Sequence, residues 1–312
     1  METRTIELLE SYNPDITELN ISGEIITPTI NGILDLSRFV SLKELNCSLN
    51  YIVSIINFPN TLEILNCNSN MYIESLDNLP ANLIQLNCMT NNISSLDNLP
   101  QSLQILNCSY NNITRLDNLP GNLIKLDCSN DHGKLTNLDS LPAKLEFLDC
   151  SGNKITRLDN LPCKLETLIC CLNKITSLDL LPENLLNLHC KKNLLTELNL
   201  LPAQLEILNC SLNKIQTISS LPNNLTELGC FSNKITILNI EKLNKLTELD
   251  CSNNKIYWLD NFSLNIERLS CQKNEINILE NLPNSLNFLN CDGIIQNLEQ
   301  IRINNSNLRV VC

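Results

Sequence analysis

Residues 108–130 read CSYNNITRLDNLPGNLIKLDCSN. The stretch opens and closes on Cys-Ser and carries Leu-Pro in its middle, so a cysteine returns after twenty residues. The same step runs along most of the chain. Cys47, Cys67, Cys88, Cys108, Cys128, Cys150, Cys170, Cys190, Cys210, Cys230, Cys251, Cys271, Cys291 and Cys312 follow one another at intervals of 20 to 22 residues. Of sixteen cysteines, only Cys163 and Cys171 lie off this ladder. Around each rung the pattern is Leu-x-x-Leu-x-Cys-x-x-Asn-x-Ile-x-x-Leu, complete in Leu103, Leu106, Cys108, Asn111, Ile113 and Leu116, and followed by Asp-Asn-Leu-Pro. A fixed period of this length marks a repeat architecture.

In x-Leu-x-Cys-x the alternation has period two, which puts Leu and Cys on one face of a short strand and their neighbours on the other. One repeat cannot bury that face alone, whereas stacked repeats make a parallel sheet over continuous rows of Leu, Cys and Ile. The Asn three residues after most Cys, from Asn50 to Asn274, stands where the chain turns, and Asp131 and Ile294 break the row. A short amide there can bond backbone groups left unpaired, and stacked amides can bond rung to rung. About ten residues with a Pro inside must carry the chain back, which is too short and too broken for a helix. The return side is therefore expected to be extended with tight turns. Thr5 to Glu10 are expected to form a short covering helix, with little helix elsewhere.

The repeat resembles the leucine-rich repeat family, with Cys in the third apolar position. The likeness covers roughly residues 16 to 312, with some thirteen copies in phase. The 20-residue length and recurrent Leu-Pro are most similar to the short repeats of certain bacterial effectors. The Asn/Ile/Lys-rich composition also resembles uncharacterised repeat proteins of giant viruses. The implied fold is a repeat solenoid: a leucine-rich repeat arc with one short parallel β-strand per repeat, an extended return side and little α-helix. Residues 1–15 would form an N-terminal cap, and residues 16–312 a single solenoid of about 13–14 repeats.

The 312 residues carry a net charge of −12. That argues against nucleic acid, whose phosphates need Lys and Arg to displace counterions, and against anionic membranes. Apolar runs are broken every three or four residues, so no transmembrane segment is expected. METRTIELLE is acidic where a signal peptide is basic, which points to a cytoplasmic, reducing setting (host cytoplasm or virion if viral) rather than secretion. Cysteines there are thiols more often than disulfides. Ladder cysteines are expected to be small buried hydrophobes. Zinc needs cysteine pairs two to four apart, and the chain has no Cys-x-x-Cys. No cofactor motif and no catalytic constellation emerges, so no metal, cofactor or catalytic residue is assigned.

Function then falls to the solvent-facing, concave side of the strands. The row before each Cys and the row after it are mostly Asn, Asp and Ser. Phe147, Ile169, Cys171, His189, Lys191 and Phe231 depart from that monotony and form the candidate partner-binding patch. Recurrent glutamates beside the strands, such as Glu227, Glu248 and Glu267, would steer a basic partner surface. Trp258 is expected to pack laterally. Residues 129–138, 239–245 and 260–266 break the pattern and are read as drift or small edge loops. The last strand is expected to leave an open edge at residues 295–312, available for an end-to-end homodimer. The resemblance implies a non-enzymatic scaffold for a protein partner. The alternatives are the recognition part of a ubiquitin-ligase-type effector, and a structural or self-associating component.

Overall fold

Every copy of the repeat contributes three residues of strand, and the registers lock leucine onto leucine. The structure, a computed structural model, describes residues 9–23, 30–218, 220–304 and 307–312. The chain divides into two compact units, Met1–Ile155 and Thr156–Cys312. It is a parallel β-solenoid of about 14 short turns. In the first unit, parallel strands from Glu18–Asn20 to Phe147–Asp149 align Leu19, Leu45, Leu65, Leu86, Leu106, Leu126 and Leu148. In the second, strands from Thr167–Ile169 to Arg309–Val311 align Leu168, Leu188, Leu208, Leu228, Leu249, Leu269, Leu289 and Val310. The rows of Leu, Cys and Ile are buried throughout both units, as the period-two alternation requires.

At most turns the asparagine after the Cys joins three stretches of backbone, although Asp131 replaces it once and the Asn91 oxygen is unpaired. Asn193 Nδ2 donates to the carbonyls of Cys170 (2.9 Å) and Cys190 (3.1 Å), and its Oδ1 accepts from the N–H of Ile175 (3.0 Å). Asn70 does the same with Cys47, Cys67 and Ile52 in the first unit. The expected rung-to-rung bonding is present, but it runs from amide to backbone rather than from amide to amide. Geometry explains this, because the carbonyls of successive turns converge on the side chain and leave its donors no room for a neighbouring amide.

The residue just before that asparagine adopts left-handed backbone. Leu49, Ser69, Thr90, Tyr110, Leu172, Lys192, Leu212, Ser232, Asn253 and Lys273 have φ between 53° and 58°. Such a conformation costs a residue with a Cβ roughly 1–2 kcal/mol, and the asparagine bonds that follow offset it. Gly152 holds the same position with φ 68°, and a Cβ there would lie 1.4 Å from the carbonyl oxygen of Asn130.

On the return side, the Leu-Pro unit closes a tight turn. The N–H of Leu123 donates to the carbonyl of Pro120 (3.1 Å), and Leu205 bonds Pro202 in the same way (3.1 Å). Residues 239–245 and 260–266 keep this turn without proline, since Leu246 bonds Leu243 (3.1 Å) and Ile266 bonds Ser263 (3.2 Å). They are regular turns of the solenoid and not edge loops. The asparagine of Asp-Asn-Leu-Pro is left-handed at Asn78, Asn118 and Asn160, as is Asn281 of Glu-Asn-Leu-Pro, a conformation that Asn tolerates better than most residues. Short extra strand pairs also form there, Asn31–Asp35 with Tyr51–Ile56 and Glu197–Leu198 with Thr217–Ile218.

The helix content departs from expectation at the last turn. Leu298–Asn304 is an α-helix of 7 residues that buries Leu298 and Ile301. Apolar residues at 295, 298 and 301 recur every three, no proline interrupts them, and Arg302 pairs with Glu299 at 2.9 Å. Of the expected Thr5–Glu10 helix, residues 5–8 lie outside the described residues, while Leu9 and Glu10 are helical.

Two predictions test these backbone devices in urea. Asn193→Ala strands buried carbonyls and an N–H, and should lower stability by about 1–3 kcal/mol. Leu172→Asn relieves left-handed strain and should raise the unfolding midpoint by up to about 1 kcal/mol, whereas Gly152→Ala should cost about 3 kcal/mol or more. An unchanged midpoint for Asn193→Ala would show that the amide is not structural.

Candidate functional site

The sheet face opposite the leucines is less open than the alternation suggests, because side chains from neighbouring turns cover one another. All six residues of the candidate patch are half-buried. Phe147 belongs to the first unit and is paired there with Lys125, whose Nζ lies 4.6 Å from the ring centroid. The other five belong to the second unit. Ile169 and His189 are register partners on adjacent strands, and Cys171 Sγ lies 3.4 Å from the His189 carbonyl oxygen. Lys191 Nζ reaches the Phe231 ring at 5.2 Å. The Ser211 turn lies between these two residues, and its side chain is fully buried. The same pairing recurs at Phe288, which carries Arg268 at 4.7 Å. Both rings of the patch are therefore covered by cations, Phe231 by Lys191 and Phe147 by Lys125, so the surface is not purely apolar.

Next to this cluster the strand Glu227–Gly229 opens a hollow of about 180 Å³, which His189 and Phe231 help to line. Gly229 and Ser211 were not singled out from sequence. The available signal was the one glycine in a row otherwise built mainly of Asn and Asp.

Thirteen ladder thiols are buried, and Cys312, which the spacing places on the ladder, is exposed in the last turn. Desolvation pushes Cys67, Cys210 and Cys251 from 9.0 up to about 12. Such thiols are neutral and inert at physiological pH. Cys163 is exposed and Cys171 half-buried. Among the described residues no three His, Cys, Asp or Glu cluster as metal ligands, and no helix is long and apolar enough to cross a membrane.

Trp258 does not pack as expected. It is 52% exposed, beside Tyr257 at 56% and Ile237 at 64%, around a hollow of about 250 Å³ that Glu241 and Asp260 also line. Ile237 and Trp258 stand two residues after the buried Ile235 and Ile256 of their turns. At that offset the side chain leaves the core, so its aromatic character cannot draw it inward.

Comparison with solved structures places this geometry. YopM from Yersinia enterocolitica WA-314 is 27% identical with a TM-score of 0.72, over 91% of this chain and 75% of that one. The functional domain of InlJ from Listeria monocytogenes, described as including a cysteine ladder, is 32% identical with a TM-score of 0.74. That match covers 81% of this chain and 59% of the InlJ chain. YopM from Yersinia pestis, described as a leucine-rich effector protein, shares the fold at 22% identity and a TM-score of 0.66, over 99% of this chain and 92% of that one. No family model and no curated protein matches the chain. The chain has the leucine-rich repeat fold, with short repeats similar to those of bacterial effectors. All three structures come from bacteria, and the likeness to giant-virus proteins rests on composition alone.

The thiols give a direct test. At neutral pH a disulfide reagent should modify Cys163 and Cys171 together with Cys312, and reach the thirteen buried thiols only after unfolding. A raised thiol pKa means that the folded chain keeps protons the unfolded chain loses. Stability is thus intact below pH 9 and falls as pH rises from 9 toward 12, by about 1.4 kcal/mol per pH unit for each buried thiol. Several such thiols together outweigh the stability of an ordinary domain. Circular dichroism should therefore show cooperative unfolding by about pH 11, and a native spectrum at that pH would contradict the ladder's burial.

Proposed function

We propose that this protein is a non-enzymatic, intracellular scaffold that binds a protein partner on the open, concave-side face of its sheet. The observation that carries the reading is the cluster of Ile169, Cys171, His189, Lys191 and Phe231 in the second unit, with Ile169 and His189 on adjacent strands and the other three just past strand ends, where the Asn and Ser monotony of the face lapses. Desolvated rings paired with cations are the surface chemistry of binding hot spots. The kinship with leucine-rich repeat proteins such as YopM and InlJ supports an interaction role. Phe147 with Lys125 extends the same chemistry to the first unit. Glu227, Glu248 and Glu267 favour a basic partner surface.

Affinity capture from the native cell, comparing the natural protein with Ile169→Asp/Phe231→Asp, tests this reading. Both proteins must first give the same circular dichroism spectrum. A partner should be retained by the natural protein and lost at least tenfold by the variant, and its binding should weaken with added salt. Equal capture by both would exclude the patch.

A further inference from the structure

Gly229 is the point where the open face lacks a side chain without needing to. Its backbone is not left-handed, and a Cβ there would meet Asn209 Cγ at 3.3 Å and Ser211 Oγ at 3.4 Å, contacts that small shifts accommodate. The flanking turns carry Asn209 and Asp250 in the same row. Glycine weakens a strand and commonly marks a place where another group approaches closely. Its consequence here is the hollow of about 180 Å³, walled by Asn209, Asp250 and Phe231 with Glu227 and Glu248 at its rim.

Ser211, beneath the hollow, differs from most of its counterparts and shares an unpaired buried hydroxyl with Ser151. Ser109, Ser129 and Ser252 donate their hydroxyls to the Asn or Asp two residues earlier, at 2.7, 2.7 and 2.5 Å. Ser211 bonds Asn209 only through its backbone N–H (3.2 Å). Its hydroxyl is fully buried, has no hydrogen-bond partner, and lies 3.4 Å from where a side chain at 229 would begin. Of the three carboxylates around the hollow, Glu248 faces Arg268 at 3.7 Å, while Glu227 and Asp250 make no ion pair among the described residues. The nearby Lys191 is held over Phe231.

We infer that the Gly229 hollow is a socket for a cationic side chain, lysine or arginine, presented by the protein partner; this rests on reading the face as a binding surface. An ammonium or guanidinium brings only donors, and the polar part of the lining offers acceptors, the Ser211 hydroxyl, the Asn209 amide oxygen and the carboxylates, beside the apolar Ile207, Leu208, Leu228 and Phe231. An apolar side chain would desolvate those carboxylates without pairing them, and an acidic one would be repelled. The Phe231 ring flanks the stem of a long cationic side chain as well as its charge.

The probes are acetyl-Gly-Lys-Gly-amide and acetyl-Gly-Arg-Gly-amide, titrated into the ¹⁵N-labelled full chain and compared with the Leu and Glu peptides. The expected result is saturable millimolar binding of the cationic peptides, with amide shifts centred on Gly229, Ser211 and Asp250, and at least tenfold weaker binding of the others. Gly229→Asn refills the hollow with the residue that position 209 carries, and should abolish the saturable shifts while leaving the rest of the spectrum in place. Glu227→Gln keeps the glycine and should weaken binding several-fold, so a misfolded Gly229→Asn would still leave a test. Shifts spread evenly over all acidic turns, or equal binding by Gly229→Asn, would overturn the socket. A captured partner lost on Ile169→Asp/Phe231→Asp but kept on Gly229→Asn would also overturn it and leave the binding face standing. Peptide binding at Gly229 with a partner indifferent to Ile169 and Phe231 would support the socket and remove the wider face.

Discussion

Everything in this chain depends on an amide that reaches across turns. A strand of three residues has few ladder bonds, and the chain must leave the sheet at once after each cysteine. Asn193 and its equivalents hold that exit by bonding the carbonyls of two cysteines and the N–H of a third backbone segment. Since those groups lie in successive turns, the bond that ends one strand also sets the spacing to the next. Buried, the arrangement is all or nothing, because removing the amide would leave several backbone groups dry and unpaired. This explains why the position hardly varies while its neighbour, held left-handed, can be Leu, Ser, Thr, Tyr or Lys. The asparagine supplies the conformation that glycine would otherwise be needed to permit.

The cysteines follow from the same stacking. The position two residues after the second leucine of the motif faces inward from Cys47 to Cys291, close to its equivalents above and below. A thiol is small enough to fill that column and apolar enough to stay dry. Its raised pKa is a consequence of burial and not of activation. InlJ is likewise described as including a cysteine ladder, so the column is a packing solution open to more than one chain of this fold.

The solenoid was legible from sequence because period is a global property that many copies state independently. Local conformation was less so. The left-handed residue before each asparagine carries no glycine signal, since only Gly152 announces it. The Lys191–Phe231 pair joins residues forty positions apart through an intervening turn, and no short-range pattern encodes that reach. Trp258 was misjudged by its residue type, when its offset from Ile256 decides that it points outward. The terminal helix spans only 7 residues, and its apolar spacing at 295, 298 and 301 is too short a run to stand out against the repeat. Of the candidate site, Ile169, Cys171, His189, Lys191 and Phe231 lie together in the second unit, whereas Lys125, which covers Phe147, is one lysine among many in the sequence.

A repeat that must satisfy its core and its turn on every copy leaves only the outward strand positions free to differ. Variation there costs little stability, so information about a partner can accumulate there and almost nowhere else. Most of the face does not use that freedom, and stays Asn, Asp and Ser with hydroxyls capped by the preceding residue. Around Gly229 several departures coincide: a missing side chain, an uncapped buried hydroxyl, an aromatic wall and Glu227, a carboxylate with no ion pair among the described residues. Drift in a tolerant surface would scatter such departures independently over the turns. Their convergence on one hollow, where an acceptor-rich lining meets a ring, is what a selected contact would produce.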